Sequence, residues 1–466
     1  MLDDDGPLDF EAEDRLLQPP PSNKRRKVIG LDDLLADFYK EKSRVVAKEF
    51  KKGKATKAYN SDEDEDKNRK NKEALLSKFV DDCQKQVTQM ATEDELPSWG
   101  QHVFGHQKEP PSLSFPGLDN CDLLQSMMKS ELIPNLELSA ENGETFLEGL
   151  LMNGWLAKLV FVCGHVEETL ATWSSNLMLY SPNEQLQSSA CDFWLSILQS
   201  KDQVNVPSIK IQWLPHCDEL KAALEVYGYL PGSSTIGCQT GSSLDGPPKN
   251  IRSWIKYLAA CCQYRHIQAI FSTAEAEYFF GVLIKLFLDR RLEGLYLLLG
   301  ECLLSLINFF TDDEWISSSK NAAKSLAERI EVDMNCLRIV ECIPGVNARS
   351  KHLRSEVALH ILLCCLDTEV AFPVTEAEDV LKLLVSINLR DKSCDFFKIY
   401  IYLVLSENWL FSGYLLEQRP AILAMWGLYL RNCSCQITST DWRPYASKVR
   451  NKASYLLQTT AQRENE

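Results

Sequence analysis

From about residue 118 to the C-terminus, apolar side chains recur at a spacing near 3.6, segment after segment. Strict alternation bounded by turns is almost absent, so helices must supply nearly all of the core. Phe146, Leu147, Leu150, Leu151, Trp155 and Leu159 mark one stripe, predicting a single helix. Leu186, Cys191, Phe193, Trp194, Ile197 and Leu198 mark another. Residues 231–248 interrupt the pattern: 11 of the 18 are Gly, Pro or Ser, the composition of a loop or boundary. Beyond it the spacing predicts helices over 251–271, 274–290, 292–310, 313–330, 355–366, 376–387, 395–405, 421–431 and 444–458. Thr273, ahead of Glu275 and Glu277, is the expected N-cap of the second of these. Helices of this length with short connectors are the pattern of stacked helical hairpins, yet no fixed repeat length emerges. The expected fold is all-α: an irregular α-solenoid or multi-helix domain behind a disordered, charged N-terminal arm. The expected divisions are the arm at 1–72, a helical region at 73–230, the loop at 231–250 and a second helical region at 251–466.

The chain has 466 residues, 45% of them hydrophobic, enough for a sizeable core. Its net charge of −15 is unevenly placed. Residues 1–72 hold 17 acidic and 17 basic side chains, and residues 73–466 hold 33 basic and 48 acidic. An acidic body repels DNA and anionic lipid at long range, which leaves room only for a local basic site. Met1 is followed by Asp3, Asp4 and Asp5 where a secretory signal needs a basic and then an apolar region, so no signal peptide is expected. The 16 cysteines are accordingly expected as reduced thiols, many of them small hydrophobes in apolar stretches. The most apolar window, 294–310, carries Glu301 at its middle. A mid-bilayer carboxylate costs roughly 3 kcal/mol, so a buried core helix and no membrane partner are expected.

Residues 1–30 combine an acidic stretch, Pro19–Pro20–Pro21 and the basic cluster Lys24, Arg25, Arg26, Lys27. Consecutive cations on an extended backbone resemble a monopartite nuclear localisation signal, which places the chain in the nucleus. Leu31, Leu34, Leu35 and Phe38 then form the apolar face of a short amphipathic helix, a candidate face for a partner. Residues 40–57 carry eight basic and two acidic side chains, and the acidic run 62–66 follows. This arm is either the tail of a partner-binding helix or a direct, salt-dependent contact to nucleic acid. Ser61, ahead of five consecutive carboxylates, resembles an acidophilic-kinase site. A further amphipathic helix is predicted over 76–90. The Pro- and aromatic-rich connector 96–117 is expected to pack, because Trp99 and Phe115 would be costly to leave in water.

Motifs for chemistry fail one by one. Gly241 to Gly246 has phosphate-loop spacing, but Pro247 and Pro248 stand where Lys and Ser or Thr are needed. Asp245 occupies the second glycine position of a hydrolase elbow around Ser243. No His-Glu-x-x-His, Cys-x-x-Cys or dinucleotide fingerprint exists. His102 and His106, with Cys83 and Cys121, are the best zinc candidates. His360 and Cys364 share a helix face, with His352 two turns back, that reads as core rather than as a metal site, and Cys433 and Cys435 stand alone. The expectation is no catalytic residue, no cofactor and no metal.

Three segments carry a family resemblance: the opening helix Leu31-Asp-Asp-Leu-Leu-Ala-Asp-Phe-Tyr-Lys-Glu-Lys, the connector Leu96-Pro-Ser-Trp-Gly with Phe104, and Glu144-Thr-Phe-Leu-Glu-Gly-Leu-Leu-Met-Asn-Gly-Trp155. Over most of its length the chain resembles plant nuclear proteins of the CANIN type (coiled-coil SMC and NSE-interacting). It is similar to the plant counterpart of the Nse-five/Nse-six pair. The resemblance implies a non-enzymatic helical subunit that pairs with a second helical subunit of the SNI type. The pair would attach to the SMC subunits of the SMC five–six complex and govern its loading on chromosomal DNA during repair and recombination.

Overall fold

A computed structural model describes residues 99–114, 121, 125, 140–199, 209–231, 246–328, 333–366, 377–412 and 419–463, all within one compact unit. Among them are fifteen α-helices and one two-residue parallel strand pair, so the fold is all-α.

The first four helices are α1 (Ala140–Met152), α2 (Trp155–Cys163), α3 (Glu168–Tyr180) and α4 (Glu184–Gln199). The stripe from Phe146 to Leu159 predicted one helix, and the chain makes two, bent by 92°. The cause is Gly154, whose φ of +71° is left-handed and halts the first helix before Trp155. The strands β1 (His165–Val166) and β2 (Lys210–Ile211) pair in parallel, and α5 (Cys217–Val226) follows.

Next come α6 (Ile251–Gln263), α7 (Thr273–Leu288), α8 (Tyr296–Phe309) and α9 (Asp312–Ala327). The helix expected over 251–271 stops at Gln263, and a single 3-10 turn swings Arg265 onto Glu314 and the Phe309 carbonyl. The N-cap of α7 is Ser272, one residue before the expected Thr273. Ser272 Oγ accepts the Glu275 N–H at 3.3 Å while Glu275 Oε2 accepts the Ser272 N–H at 2.7 Å. The reciprocal pair needs a spacing of three, which Ser272 has with Glu275 and Thr273 lacks.

The remaining helices are α10 (Met334–Cys342), α11 (Ala348–Cys365), α12 (Ala377–Ser386), α13 (Phe396–Ser412), α14 (Pro420–Cys435) and α15 (Ala446–Arg463). Sequence spacing missed α10 and began α11 seven residues late. The first two turns of α11 bury Ser350, Leu353 and Ser355, and small polar residues leave no apolar signature.

Many helices pack on the one two places further along as well as on near neighbours: α4 on α6 on α8, and α9 on α11 on α13 on α15. Helices on both sides of the Gly/Pro/Ser-rich segment share one core. Asn250 Nδ2 donates to the Met178 and Ser181 carbonyls, Trp254 Nε1 donates to the Leu220 carbonyl at 3.0 Å, and the Trp194 and Tyr257 rings meet edge-on. Arg290–Phe309 is long and apolar enough by length and composition to cross a membrane. In the fold it divides into a 3-10 segment and α8, and α8 buries Leu299, Cys302, Leu303, Leu306 and Ile307 with α6, α7 and α11 around it.

Candidate partner and ligand surfaces

Lys24, Arg25, Arg26 and Lys27, the face Leu31, Leu34, Leu35 and Phe38, the arm 40–57, Ser61 and Cys83 all lie outside the described residues. The other metal candidates are placed but not assembled. His102 and His106 are exposed, whereas Cys121 is fully buried. His360 Nε2 stands 4.0 Å from Glu356 Oε2 on its own helix. Among the described residues no three His, Cys, Asp or Glu come together as a metal site.

Most of the described cysteines are buried in the core. Burial pushes Cys191 and Cys217 up to about 11 and Cys261 and Cys433 up to about 12. Nucleophilic cysteines need the opposite shift. Cys336 does move downward, because the Cys365 thiol donates a hydrogen bond to it. Both side chains are buried, so substrate has no path to either.

A groove of about 310 Å³ forms where the leading segment 99–108 and the chain just after α5 meet α7, α9 and α10. Its position follows from how that segment is held. Trp99 lies between the Arg290 and Arg338 guanidinium groups, at 5.5 and 4.7 Å from the ring centre. The Gly100 N–H donates to Asn335 Oδ1 at 2.7 Å. Buried Asp289 accepts the Val103 N–H and two bonds from Arg291, at 2.9 and 3.0 Å. Phe104 bridges to Tyr229, and the Gly105 N–H donates to the Gly228 carbonyl. Gly228 has φ +78°, and a Cβ there would sit 2.4 Å from the His106 carbonyl oxygen, so only glycine fits. The Gly100 and Val103 bonds alone reach partners 235 and 186 residues away in sequence.

The groove is lined by apolar Phe280, Ile284, Leu326 and Ile339 and by polar Glu277, Lys285 and Asn321, with buried Asn335 among them. Lys285 Nζ already donates to the Pro231 carbonyl. Cys, His and Asp are absent from the lining, so the groove offers a nonpolar seat with amide groups rather than a catalytic set.

Two outer surfaces are unusual. On α2, Trp155 is 54% and Val162 85% exposed, with Leu159 half-buried between them and Lys158 as the helix's one charge. The i, i+4, i+7 spacing puts all three on one stripe. On α15 the outward side chains are Lys448, Asn451, Tyr455 and Gln458, without a carboxylate anywhere in the helix. The α2 stripe falls within the Glu144–Trp155 segment and its continuation, but its outward orientation was not legible there. The bend at Gly154 decides it.

The chain matches no protein-family model, no curated protein and no solved structure.

Proposed function

We propose that the chain is a non-enzymatic nuclear scaffold and regulatory subunit that works through protein contacts. The observation that carries this reading is the apolar stripe of α2. A helix in contact with water on one side ordinarily turns polar residues outward, and a Trp and a Val kept there mark a contact surface. A helical partner fits such a stripe, because an i, i+4, i+7 row docks in the groove of a second helix. The sequence resemblance supplies the partner class: a second helical subunit of the SNI type, together with SMC subunits of the SMC five–six complex, acting in DNA repair and recombination. The cluster Lys24–Lys27 supplies the nuclear address.

Affinity purification of the full chain from nuclei at moderate salt, with nuclease present, tests the assignment. Near-stoichiometric SMC subunits and one helical partner are expected. Recovery of neither overturns it. Recovery only when nuclease is left out transfers the contact to DNA and points to the basic arm 40–57. Replacing Lys24, Arg25, Arg26 and Lys27 with Ala in a fluorescent fusion is expected to move the protein from nucleus to cytoplasm.

A further inference from the structure

We propose that the outer face of α15, with the 441–445 corner that leads into it, binds single-stranded nucleic acid. The first argument is charge. Residues 419–463 contain seven Lys or Arg and a single acid, Asp441, leaving 26 basic against 47 acidic for the remainder of 73–466. A cationic stretch this long on an acidic protein is a local exception, and a polyanion is the ligand it complements.

The second argument is where those charges point. Ala446, Val449, Ala453, Leu456 and Thr460 are buried and define the inner face of α15. The opposite side therefore presents Lys448, Asn451, Tyr455 and Gln458, with Arg450 and Lys452 on the flanks. Lys452 also pairs with Glu407 at 2.8 Å, so it contributes less than its full charge. The lone acid is masked: Asp441 is held by Arg443 at 2.7 and 3.0 Å. Arg443 is in turn fixed to the Leu389 carbonyl, which brings the exposed cations Arg390 and Lys392 alongside. That turn also has Asp391 and Asp395, each accepting a backbone N–H, from Ser393 and Phe397.

The third argument selects the kind of polyanion. Tyr455 is 59% and Trp442 41% exposed, and Trp442 adjoins Arg443 in sequence. Lys452 Nζ is 5.9 Å from the Tyr455 ring, and Lys448 Nζ is 4.7 Å from that of Tyr445. Tyr445, with φ +64°, is locked against Phe397 and Tyr400 and sets the corner that turns Trp442 outward. Rings interleaved with Lys and Arg offer stacking to unpaired bases, which a duplex withholds and an acidic peptide lacks. Tyr455 stands about 13 Å along the helix axis from Ala446, the residue at which the corner bearing Trp442 joins α15.

Fluorescence anisotropy of the full-length chain with labelled oligothymidylate, at ~50 mM salt and then at ~200 mM, tests this. Expected are binding that weakens steeply with salt, and a loss of about tenfold for each of Trp442→Ala and Tyr455→Ala. Tyr455→Phe should restore affinity, and duplex binding should not respond to either ring. Lys448→Glu with Arg450→Glu should abolish binding. Both rings are exposed, so unchanged melting of the Ala variants verifies the fold. The proposal is overturned if wild type does not bind at the lower salt, or if the ring variants bind as wild type does. It is equally overturned if charge reversal of Lys51, Lys52, Lys54 and Lys57 alone removes all binding, or if polyglutamate competes as well as the oligonucleotide.

Discussion

The centre of the molecule and its C-terminal helix pair use the same element for opposite purposes. In α7 and α8 apolar residues run almost all round the helix, α6 adds a broad buried face, and Trp254, Tyr257, Cys261, Phe279, Cys302 and Leu306 are each fully buried. Their surface is consumed by one another. In α14 and α15 the apolar residues form stripes: α15 buries one line of small and aliphatic residues and turns a line of Lys, Asn and Tyr outward. A helix that is apolar all round builds the fold and leaves nothing for a ligand. A striped helix divides its faces, and the second face is where function can reside.

If that division is right, tryptophans in the two regions answer to substitution very differently. Trp254 is buried, donates to the Leu220 carbonyl and meets Phe279 edge-on at 5.8 Å. Trp254→Ala is expected to cost about 4 kcal/mol through lost burial and the cavity left behind. That is a large share of a typical stability and should be plain in a denaturant melt. Trp442→Ala should change stability by less than about 0.5 kcal/mol. Equal costs at the two positions would break the comparison.

The next effect is at Asp289, where the centre holds the leading segment. Asp289→Ala removes the acceptor of the Val103 N–H and the carboxylate partner of the Arg291 guanidinium together. Removing one partner of a buried pair costs about 3 kcal/mol or more, reduced here because Arg291 retains some contact with water. The expected signature is local: amide exchange should accelerate over 101–108 before α15 responds at all.

The all-α class was legible because spacing near 3.6 survives wherever a helix has one apolar face. The errors share a cause, which is that they depend on groups carrying no hydrophobic signal. Gly154 splits a continuous stripe through its backbone conformation alone. Ser350 and Ser355 are buried in the first turns of α11, where a pattern search expects Leu or Val. The clip around Trp99 unites Asp289, Asn335 and Gly228, residues more than a hundred positions from the segment they hold, and pairings at that distance are set by topology. The cationic face of α15 was present in the sequence throughout. It disappeared when charge was summed over 73–466, since the 47 carboxylates and 26 cations elsewhere in that span say nothing about one helix face.

Arginine–carboxylate clips occur in both regions, and pH can sharpen the contrast between them. Arg265 donates to both Glu314 oxygens at 2.8 and 2.9 Å, and Glu314 also caps α9 at Thr311. The Arg265 guanidinium, then the Thr311 N–H, bring the Glu314 carboxyl down to about 2. A lowered carboxylate stabilises the fold above its unfolded value near 4.5 and loses that contribution as pH falls toward about 2. Glu314→Gln should therefore weaken the protein at neutral pH and flatten melting temperature against pH between those limits. The side chain is a third exposed, so solvent screening holds the effect to about 1 kcal/mol or less. Asp441, lowered by Arg443, should titrate in the same direction at the other end of the molecule. Were the acid limb unchanged in Glu314→Gln, the clip would contribute nothing to stability.

The smallest expected stability change is at α2, where a striped helix keeps apolar residues outward. Trp155 is 54% exposed, and Lys158 Nζ stands 4.4 Å from its ring centre. An exposed cation–π contact contributes about 0.5 kcal/mol, so Trp155→Ser should leave the melt nearly unmoved, and Val162→Ser, at 85% exposure, should do the same. If these side chains are outward because a helical partner covers them, the double variant should lose that partner in a nuclear pull-down while melting like wild type. Tyr455→Ala supplies the control: it should retain the partner and lose oligothymidylate. Loss of both ligands in either variant would mean that the two faces are not independent. Retention of the partner by Trp155→Ser with Val162→Ser would place the protein contact elsewhere, and α2 would then be an apolar surface without an occupant.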